Sequence, residues 1–218
     1  MRIKTAEWRD LLRRQAAACD IGLTDKAVAL LETFASELVA WNQKVNLTAI
    51  IDPAEVIEKH LIDSLMPSHH LMEDASILDI GTGGGLPGIP LKIHMPSLRV
   101  TMIDGSRKKI SFVSYMIRQL GLFSAQARQV RAEELAEMAL YQQVFDVVIC
   151  RAVTSIEQFV TIGAPFLHKD GIMIAMKGPE FMGELDEFTA GAVTKDIRII
   201  PYRLPVSDAA RTLLLIRP

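Results

Sequence analysis

From residue 76 onward the chain alternates short apolar runs with helical stretches, and this alternation restricts the fold more than any other feature. The apolar runs have the length of strands and occupy 76–80, 99–103, 145–150 and 171–176, with a weaker one at 126–130. The helical stretches lie between them, at 107–120, 132–140 and 155–167. Strands that alternate with helices predict a parallel sheet with helices on both faces.

The tail of the chain breaks this alternation. Two strand-like runs, 196–203 and 211–217, are separated only by the short segment 204–210. No helix fits into that segment, so the runs predict an antiparallel hairpin at one edge of the sheet. A Rossmann-like, mostly parallel sheet that ends in such a hairpin is more typical of methyltransferases than of dehydrogenases.

The first third of the chain reads as helical throughout. Thr24 is a good N-cap for a long helix with apolar residues at helical spacing, and Asp52 caps a third helix that is expected to reach Leu65. A chain of 218 residues suits one domain with a small appendage. We therefore expect a helical extension over 1–70 and one compact domain over 71–218.

A glycine-rich loop follows the first strand, in the stretch "ILDIGTGGGLPG" at 77–88. In an open α/β sheet, ligands bind beyond the carboxyl ends of the strands, near the first strand-to-helix turn. Glycines such as Gly81 and Gly83 leave bare peptide for a ligand to pack against. Asp104 ends the next strand about 20 residues further on, where a carboxylate accepts hydrogen bonds from ribose hydroxyls.

That ribose is common to NAD and to S-adenosylmethionine (SAM), so Asp104 does not separate the two cofactors. Pro87 favours SAM, because it removes one of the amides that would hold a pyrophosphate at the start of the helix. A dinucleotide, or a tight turn that only packs, remains the alternative interpretation of the loop.

Two cations follow strands at the same edge of the predicted sheet. Arg151 comes directly after "FDVVIC", and Lys177 follows "GIMIAM". Two cations that converge on one crevice favour an anionic substrate, and RNA phosphate is such an anion. The interval 99–131 is also strongly basic, with Asp104 as its one acidic residue, which favours an RNA path beside the cofactor.

Motifs that are missing at the strand ends argue against two classes of methyl acceptor, the C5 atom of cytosine and exocyclic amino groups. Cys150 is a candidate nucleophile of the kind found in cytosine-C5 enzymes, but no proline precedes it, and a buried small residue is the favoured interpretation. The motif of amino-group methyltransferases, Asn or Asp followed by two prolines and an aromatic residue, is also missing. Guanine N7 has a free lone pair and no proton to lose, so its methylation needs positioning rather than a general base.

Bulk properties indicate a soluble cytoplasmic protein. The formal net charge is −2, and the two cysteines, Cys19 and Cys150, show no disulfide framework. We find no signal peptide and no apolar run near the 20 residues that a membrane helix needs. The histidines form no metal-ligand spacing with the cysteines, so no metal site is expected.

Six motifs together resemble one family, the bacterial small-subunit rRNA guanine-N7 methyltransferases, also called the glucose-inhibited division protein B family. In chain order they are "WNQKVNLTAI" (41–50), "HLIDSL" (60–65), "ILDIGTGGGLPGIPL" (77–91), "RAEEL" (131–135), "CRAV" (150–153) and "MKG" (176–178). The resemblance covers about 35–218. It implies a Rossmann-like class I fold and SAM-dependent methylation of N7 of guanine 527, in the 530 loop of 16S rRNA.

The resemblance also implies roles for particular residues. The cofactor-binding residues are expected to be Gly81, Gly83, Leu86, Asp104, Ala132, Glu133 and Arg151. Residues expected to shape the active site and the RNA-binding surface are Asn46, Arg131, Lys177 and Arg211, and Arg151 is expected to close the site near the transferred methyl group. The catalytic candidates are Asn46, Arg151 and Lys177.

The expected protein is a monomer whose partner is 16S rRNA or the small ribosomal subunit. Two rival functions stay open on the residues alone. One is a methyltransferase for a protein or small molecule, and the other is a non-catalytic protein that holds SAM as a structural or sensing ligand.

Overall fold

Helices and strands alternate along the chain in the computed structural model, which describes residues 1–151, 155–190 and 196–218. The helices are α1 (Ala6–Ala18), α2 (Asp25–Val45), α3 (Pro53–Glu55), α4 (Asp63–Leu65), α5 (Gly88–His94), α6 (Arg107–Gln119), α7 (Ala132–Ala136), α8 (Ile156–Gly163) and α9 (Met182–Ala190). The strands are β1 (Ser76–Ile80), β2 (Arg99–Asp104), β3 (Ala125–Gln129), β4 (Phe145–Arg151), β5 (Leu167–Lys177), β6 (Asp196–Arg203) and β7 (Ala210–Arg217).

The strands form one sheet in the order β3-β2-β1-β4-β5-β7-β6 across the described residues. Strands β1 to β5 pair in parallel, and β7 runs antiparallel to both β5 and β6. The predicted fold class, including the terminal hairpin, is confirmed. The strand order reverses between β1 and β4, and in such sheets this switch point is where ligands bind.

Apolar residues alternate between the two faces of the sheet. Ile77 and Ile149 face a core that contains Trp8 and other residues of the N-terminal helices, together with residues of α5 and α6. Leu78 and Val148 face the opposite core, which is built with α7, α8 and α9. The N-terminal helices are therefore packed onto the sheet through a shared hydrophobic core, and Trp8 also donates from its indole nitrogen to the carbonyl of Pro53 (3.0 Å).

The predicted helix after Asp52 does extend to Leu65, but its centre is not α-helical. Asp52 Oδ1 accepts hydrogen bonds from the amides of Ala54 and Glu55, at 2.9 and 3.1 Å, as expected for an N-cap. The segment Val56–Ile62 between α3 and α4 is a π-helix. π-Helical turns are rare and occur frequently at functional sites, and this segment carries residues of the site described below.

Other boundaries differ from the sequence prediction. Helix α7 ends at Ala136, and α8 ends at Gly163, after which Pro165 lies in a 3-10 turn. Proline cannot donate the amide hydrogen bond that would continue an α-helix. Strand β5 begins already at Leu167, and the sequence interpretation had no counterpart of α9.

Candidate active site

The loop between β1 and α5 is held by a buried aspartate. Asp79 is fully buried near the end of β1, and its Oδ2 accepts hydrogen bonds from Thr82 Oγ1 (2.6 Å) and from the Gly88 amide (3.0 Å). Gly81 and Gly83 have φ angles of 69° and 57°, a region in which glycine has no steric penalty. The loop therefore offers bare peptide in a fixed shape.

The start of α5 is poorly suited to a pyrophosphate. Pro87 has no N–H, and the Gly88 amide is directed at Asp79. The amide of Ile89 donates to the carbonyl of Gly85 (2.8 Å). Because these groups are already paired or absent, the geometry favours a cofactor that has no phosphate at this point.

Asp104 ends β2 opposite the glycine loop. Its Oδ2 accepts a hydrogen bond from the Gly83 amide (3.1 Å), and its Oδ1 accepts one from the Ser106 amide (2.8 Å). Lys109 Nζ lies 3.7 Å from Oδ2. A carboxylate offers about four acceptor positions, so each oxygen keeps one for a ribose hydroxyl. This geometry fits the ribose contact, which stays a prediction.

A row of adjoining cavities follows the carboxyl ends of the strands. The outer cavity lies beside Ala132 and Glu133, and it shares Gly81 and Asp104 with the next one. That second space, the loop cavity, has a volume of about 380 Å³ and lies between the glycine loop and the segment after α2. Beyond it lies the cationic cavity, of about 420 Å³, whose basic side chains are Lys59, Arg151, Lys177 and Arg211.

Arg151 stands in the wall between the loop cavity and the cationic cavity and lines both. Its Nη1 donates to the carbonyl of Lys59 (2.9 Å) and to Oδ2 of Asp63 (3.2 Å). Its Nη2 lies 3.4 Å from Nδ1 of His60. The predicted strand-end arginine is thus held by the π-helical segment and α4, at the point where two ligands would meet.

His60 lines the same two cavities as Arg151. Its Nε2 lies 2.7 Å from Thr48 Oγ1, and its Nδ1 lies 3.2 Å from the carbonyl of Lys59. Burial, together with the nearby Arg151 guanidinium, lowers the pKa of His60 to about 4. The ring is therefore neutral at physiological pH.

The far end of the cationic cavity is formed by β5 and the C-terminal hairpin. Lys177 ends β5 and pairs with Glu184 of α9 at 2.7 Å. Arg211 of β7 and Tyr202 of β6 reach the carboxylate of Asp63. The structure thus brings Arg151 and Lys177 to one cavity, as their places at strand ends had suggested, and Arg211, which only the family resemblance had pointed to, lines the same cavity.

Other predicted residues lie further from this cavity. Asn46 ends α2 with a φ of 49° and is exposed, and it is Leu47 and Thr48 that line the loop cavity. The catalytic role of Asn46 stays a prediction. Leu86 lines the loop cavity, and Arg131 lines the outer cavity.

The basic side chains of the interval 99–131 make different local contacts. Lys109 lines the loop cavity beside Asp104, whereas Arg128 donates to the hydroxyl of Tyr141 (2.6 Å) and lies over its ring. Lys109 and Arg131 line the two cofactor cavities, whereas Arg128 is bonded elsewhere, and an RNA path along this interval stays a prediction.

Cys150 is buried in the core on the α7–α9 side of the sheet. Burial raises the pKa of its thiol well above the usual range, so the thiol stays protonated. This agrees with the favoured interpretation of a small core residue. The following residues of the "CRAV" motif, Ala152 and Val153, lie outside the described residues.

Sequence reasoning missed three of the polar residues in this site: His60, Asp63 and Tyr202. His60 and Asp63 both belong to the "HLIDSL" motif, which was noted for its resemblance but given no chemical role. The segment that holds them was predicted to be an ordinary helix. The sequence shows neither its π-helical turn nor the packing of the C-terminal hairpin against it.

Two features are missing from the described residues. No group of three or more histidine, cysteine, aspartate or glutamate side chains there is arranged to hold a metal ion. No helix within the same ranges has the length and apolar character needed to cross a membrane.

Asp79 also makes a testable contribution to stability. Burial raises its pKa from 3.8 to about 7, against the opposing hydrogen bonds from Thr82 and Gly88. Because the folded-state pKa lies above the unfolded one, this group stabilises the fold fully below about pH 4, and the stabilisation is lost as the pH rises through 7. Asp79→Asn removes this titration.

We therefore expect the wild type to lose stability relative to Asp79→Asn between pH 4.5 and pH 8, by about 3 kcal/mol. Urea unfolding of both proteins at each pH measures this difference. The exposed carboxyl of Asp170 provides the matched control, Asp170→Asn. A constant difference between wild type and Asp79→Asn across the pH range contradicts the prediction.

The sheet order, the glycine loop at the switch point and the carboxylate at the end of β2 define a class I SAM-dependent methyltransferase. A SAM-dependent methyltransferase from Aquifex aeolicus shares the fold with a TM-score of 0.57, at 15% identity, over 84% of this chain and 97% of that one. A ribosomal protein L11 methylase from Lactobacillus delbrueckii subsp. bulgaricus also gives a TM-score of 0.57, at 14% identity, over 72% of this chain and 77% of that one.

The sequence comparisons identify the family. The family model described as rRNA small subunit methyltransferase G matches residues 27–208. A ribosomal RNA small subunit methyltransferase G from Lactococcus lactis subsp. lactis is 39% identical over 202 residues, covering 90% of this chain and 85% of the relative. One from Geobacter sp. strain M21 is 38% identical over 215 residues, covering 95% and 96%. The chain belongs to this family, and SAM is its cofactor.

Proposed function

We propose that this protein transfers the methyl group of SAM to N7 of a guanine in 16S rRNA, at nucleotide 527 of the 530 loop. In this proposal it acts in the cytoplasm as a monomer, without a metal ion, on the small ribosomal subunit or its RNA. The sequence resemblance supplies the base and the position, and the relatives are named ribosomal RNA small subunit methyltransferase G.

The observation that carries the proposal is the shared wall between the loop cavity and the cationic cavity. Arg151 and His60 line both spaces, so a donor beside the glycine loop and a base in the cationic cavity would meet there. Lys59, Lys177 and Arg211 surround the second space, which suits an RNA segment with its phosphates.

The chemistry of the cavity matches an acceptor that has no proton to lose. Asp63 is the carboxylate that lines the cationic cavity within the described residues, and it is already bonded to Arg151 and Tyr202. His60 is neutral, but both of its ring nitrogens face protein partners. Neither group is arranged as a general base, and N7 of guanine needs none.

SAM supplies a methyl group on a sulfonium sulfur. In the transfer, the N7 lone pair forms the new bond to the methyl carbon while the carbon–sulfur bond breaks, and the positive charge passes from sulfur to the guanine. Arg151 and Lys177 hold the base and its phosphate so that N7 lies in line with that bond. Asn46, which directly precedes Leu47 and Thr48 in the wall of the loop cavity, is assigned to the same task.

The cofactor is expected to lie along the outer and loop cavities. Ala132 and Glu133 flank the adenine, and Asp104 accepts from the ribose. Gly81, Gly83 and Leu86 border the methionine part, next to Arg151. The buried, apolar residues Ile80 and Ile103 also line the outer cavity and suit an aromatic base.

The deciding experiment supplies SAM labelled in its methyl group to small ribosomal subunits from a strain that lacks the gene. We expect label in 16S rRNA, recovered as 7-methylguanosine, with chemical strand cleavage at nucleotide 527. Subunits from the parent strain, which are already methylated, serve as the control and should take up little label. Label on adenine or cytosine contradicts the N7 chemistry. Label in protein indicates a protein methyltransferase instead, and SAM binding without any transfer indicates a non-catalytic protein that holds SAM as a ligand.

A further inference from the structure

Asp63 lies at the centre of the contacts that shape the cationic cavity. This residue of α4 is buried, with 6% of its surface exposed. Its Oδ2 accepts a hydrogen bond from Arg151 Nη1 (3.2 Å), and its Oδ1 accepts one from the Tyr202 hydroxyl (2.8 Å). Arg211 Nε lies 3.7 Å from Oδ1. One carboxylate thus connects α4 to β4, β6 and β7.

We propose that Asp63 is a positioning residue that fixes Arg151 and Arg211 in the orientations needed to hold the acceptor base. The proposal rests on the methyl transfer proposed above, because it assigns the cationic cavity to the acceptor. Asp63 itself contacts neither the methyl group nor N7 in this assignment; it acts through the two guanidinium groups.

The contacts that hold Arg151 and Arg211 do not use all of the N–H donors of either guanidinium. Arg151 is fixed by the Lys59 carbonyl (2.9 Å) and Asp63, and Arg211 by the Ala210 carbonyl (2.9 Å) and Asp63. A guanidinium has five N–H donors in a rigid plane. Those not bonded to the protein suit O6 of guanine, which is an acceptor beside N7, or a phosphate oxygen.

Tyr202 supports the carboxylate from the hairpin. Burial and the charge of Asp63 raise the pKa of the Tyr202 hydroxyl, so the phenol stays protonated and donates to Asp63. This bond fixes one oxygen of Asp63 while the other faces Arg151. The orientation of the carboxylate, and with it that of Arg151, therefore depends on the docking of β6 against α4.

The charges around the cavity also depend on Asp63. Lys59 pairs with Glu55 at 2.6 Å and Lys177 with Glu184 at 2.7 Å, and Asp63 lies between the two arginines. These four cations and three carboxylates sum to a single net positive charge. Without the Asp63 charge the two guanidinium groups lose the carboxylate that offsets their mutual repulsion. Both groups then attract phosphate more strongly but are less well oriented.

This reasoning gives Asp63→Asn an unusual kinetic signature. We expect kcat on unmethylated small subunits to fall by about 30- to 100-fold, because the arginines lose their orientation. We expect KM for the subunits to stay unchanged or to fall, because the cavity has gained positive charge. SAM affinity measured by calorimetry should stay within about threefold, since Asp63 does not line the loop cavity.

Two further variants separate position from charge. Asp63→Glu keeps the charge but displaces the carboxylate by one methylene, so a positioning role predicts a fall in kcat of about tenfold or more with unchanged KM. It also decides the question if Asp63→Asn does not fold. Tyr202→Phe keeps the ring and removes only one hydrogen bond to Asp63, and its kcat should fall by less than about fivefold.

The wild type measured on the same particles separates this inference from the proposed function. If the wild type places no label in RNA, the proposed function is wrong. If the wild type methylates the RNA while Asp63→Asn and Asp63→Glu keep its kcat, the positioning role is wrong. A rise in KM or a loss of SAM binding, in step with kcat, also contradicts it and indicates a merely structural residue.

Discussion

Replacing Arg151 by alanine is expected to lower kcat/KM for methyl transfer to small ribosomal subunits by about 100- to 1,000-fold. Arg151 lines both the loop cavity and the cationic cavity, and unlike the neutral His60 beside it, it carries a positive charge. Its loss removes the donors that hold the base beside the methyl group, and it also leaves the buried Asp63 with one fewer cationic partner. Steady-state kinetics with labelled SAM measure the effect.

Arg151→Lys is the matched control for this change. Lysine keeps the charge but has no planar fork, so it cannot reach the Lys59 carbonyl and Asp63 while presenting donors to the base. We expect kcat/KM of Arg151→Lys to exceed that of Arg151→Ala by less than about tenfold. SAM affinity should fall far less than kcat/KM in either variant, because Gly81, Gly83 and Asp104 still line the loop cavity. Near-wild-type kinetics of Arg151→Ala would contradict its assignment to the reaction.

Asp104→Ala is expected to weaken SAM binding by about 100-fold or more. Each hydrogen bond to a charged group contributes about 1.5–3 kcal/mol, and the ribose of SAM is expected to make two with this carboxylate. The same substitution removes the acceptor for the Gly83 amide at 3.1 Å, so the glycine loop also loses a support. Isothermal titration calorimetry gives the dissociation constant directly.

A modified cofactor distinguishes the ribose contact from the loop support. SAM that lacks the 2′-hydroxyl should bind the wild type at least about tenfold more weakly than SAM does. The same analogue should bind Asp104→Ala about as well as SAM does, because the partner of that hydroxyl is gone. An equal penalty for the analogue in both proteins would show that Asp104 acts through the loop alone, and unchanged SAM affinity of Asp104→Ala would overturn the assignment.

Much of the cofactor half of the site could be predicted from the amino-acid sequence. Gly81, Gly83 and Asp104 lie within short stretches of chain whose local pattern already indicates a strand followed by a turn. Parallel strands bring their carboxyl ends to one edge, so the loop after β1 and the acid after β2 must be neighbours. The local chemistry of Pro87 also pointed correctly away from a pyrophosphate, and the pairing of the Gly88 amide with Asp79 supplies a second reason.

The contacts around the cationic cavity were far harder to predict from the sequence. Asp63 and Tyr202 are 139 positions apart in the chain, and their hydrogen bond depends on how the hairpin packs against α4. Asp63 and Arg151 are separated by 88 positions. No spacing rule connects such residues. Asp79 likewise looked like an ordinary strand residue, because its burial and raised pKa arise only when the helices cover the sheet.

The sequence by itself determined the sheet with its antiparallel hairpin, the place of the glycine loop and the family, because each depends on local periodicity or on short motifs. Tertiary structure alone decided which side chains face one another around the cationic cavity. The π-helical turn and the hairpin bring His60, Asp63 and Tyr202 to Arg151, and burial there makes the histidine neutral. The electrostatics of a site follow from burial and from neighbours distant in the chain, and packing produces both.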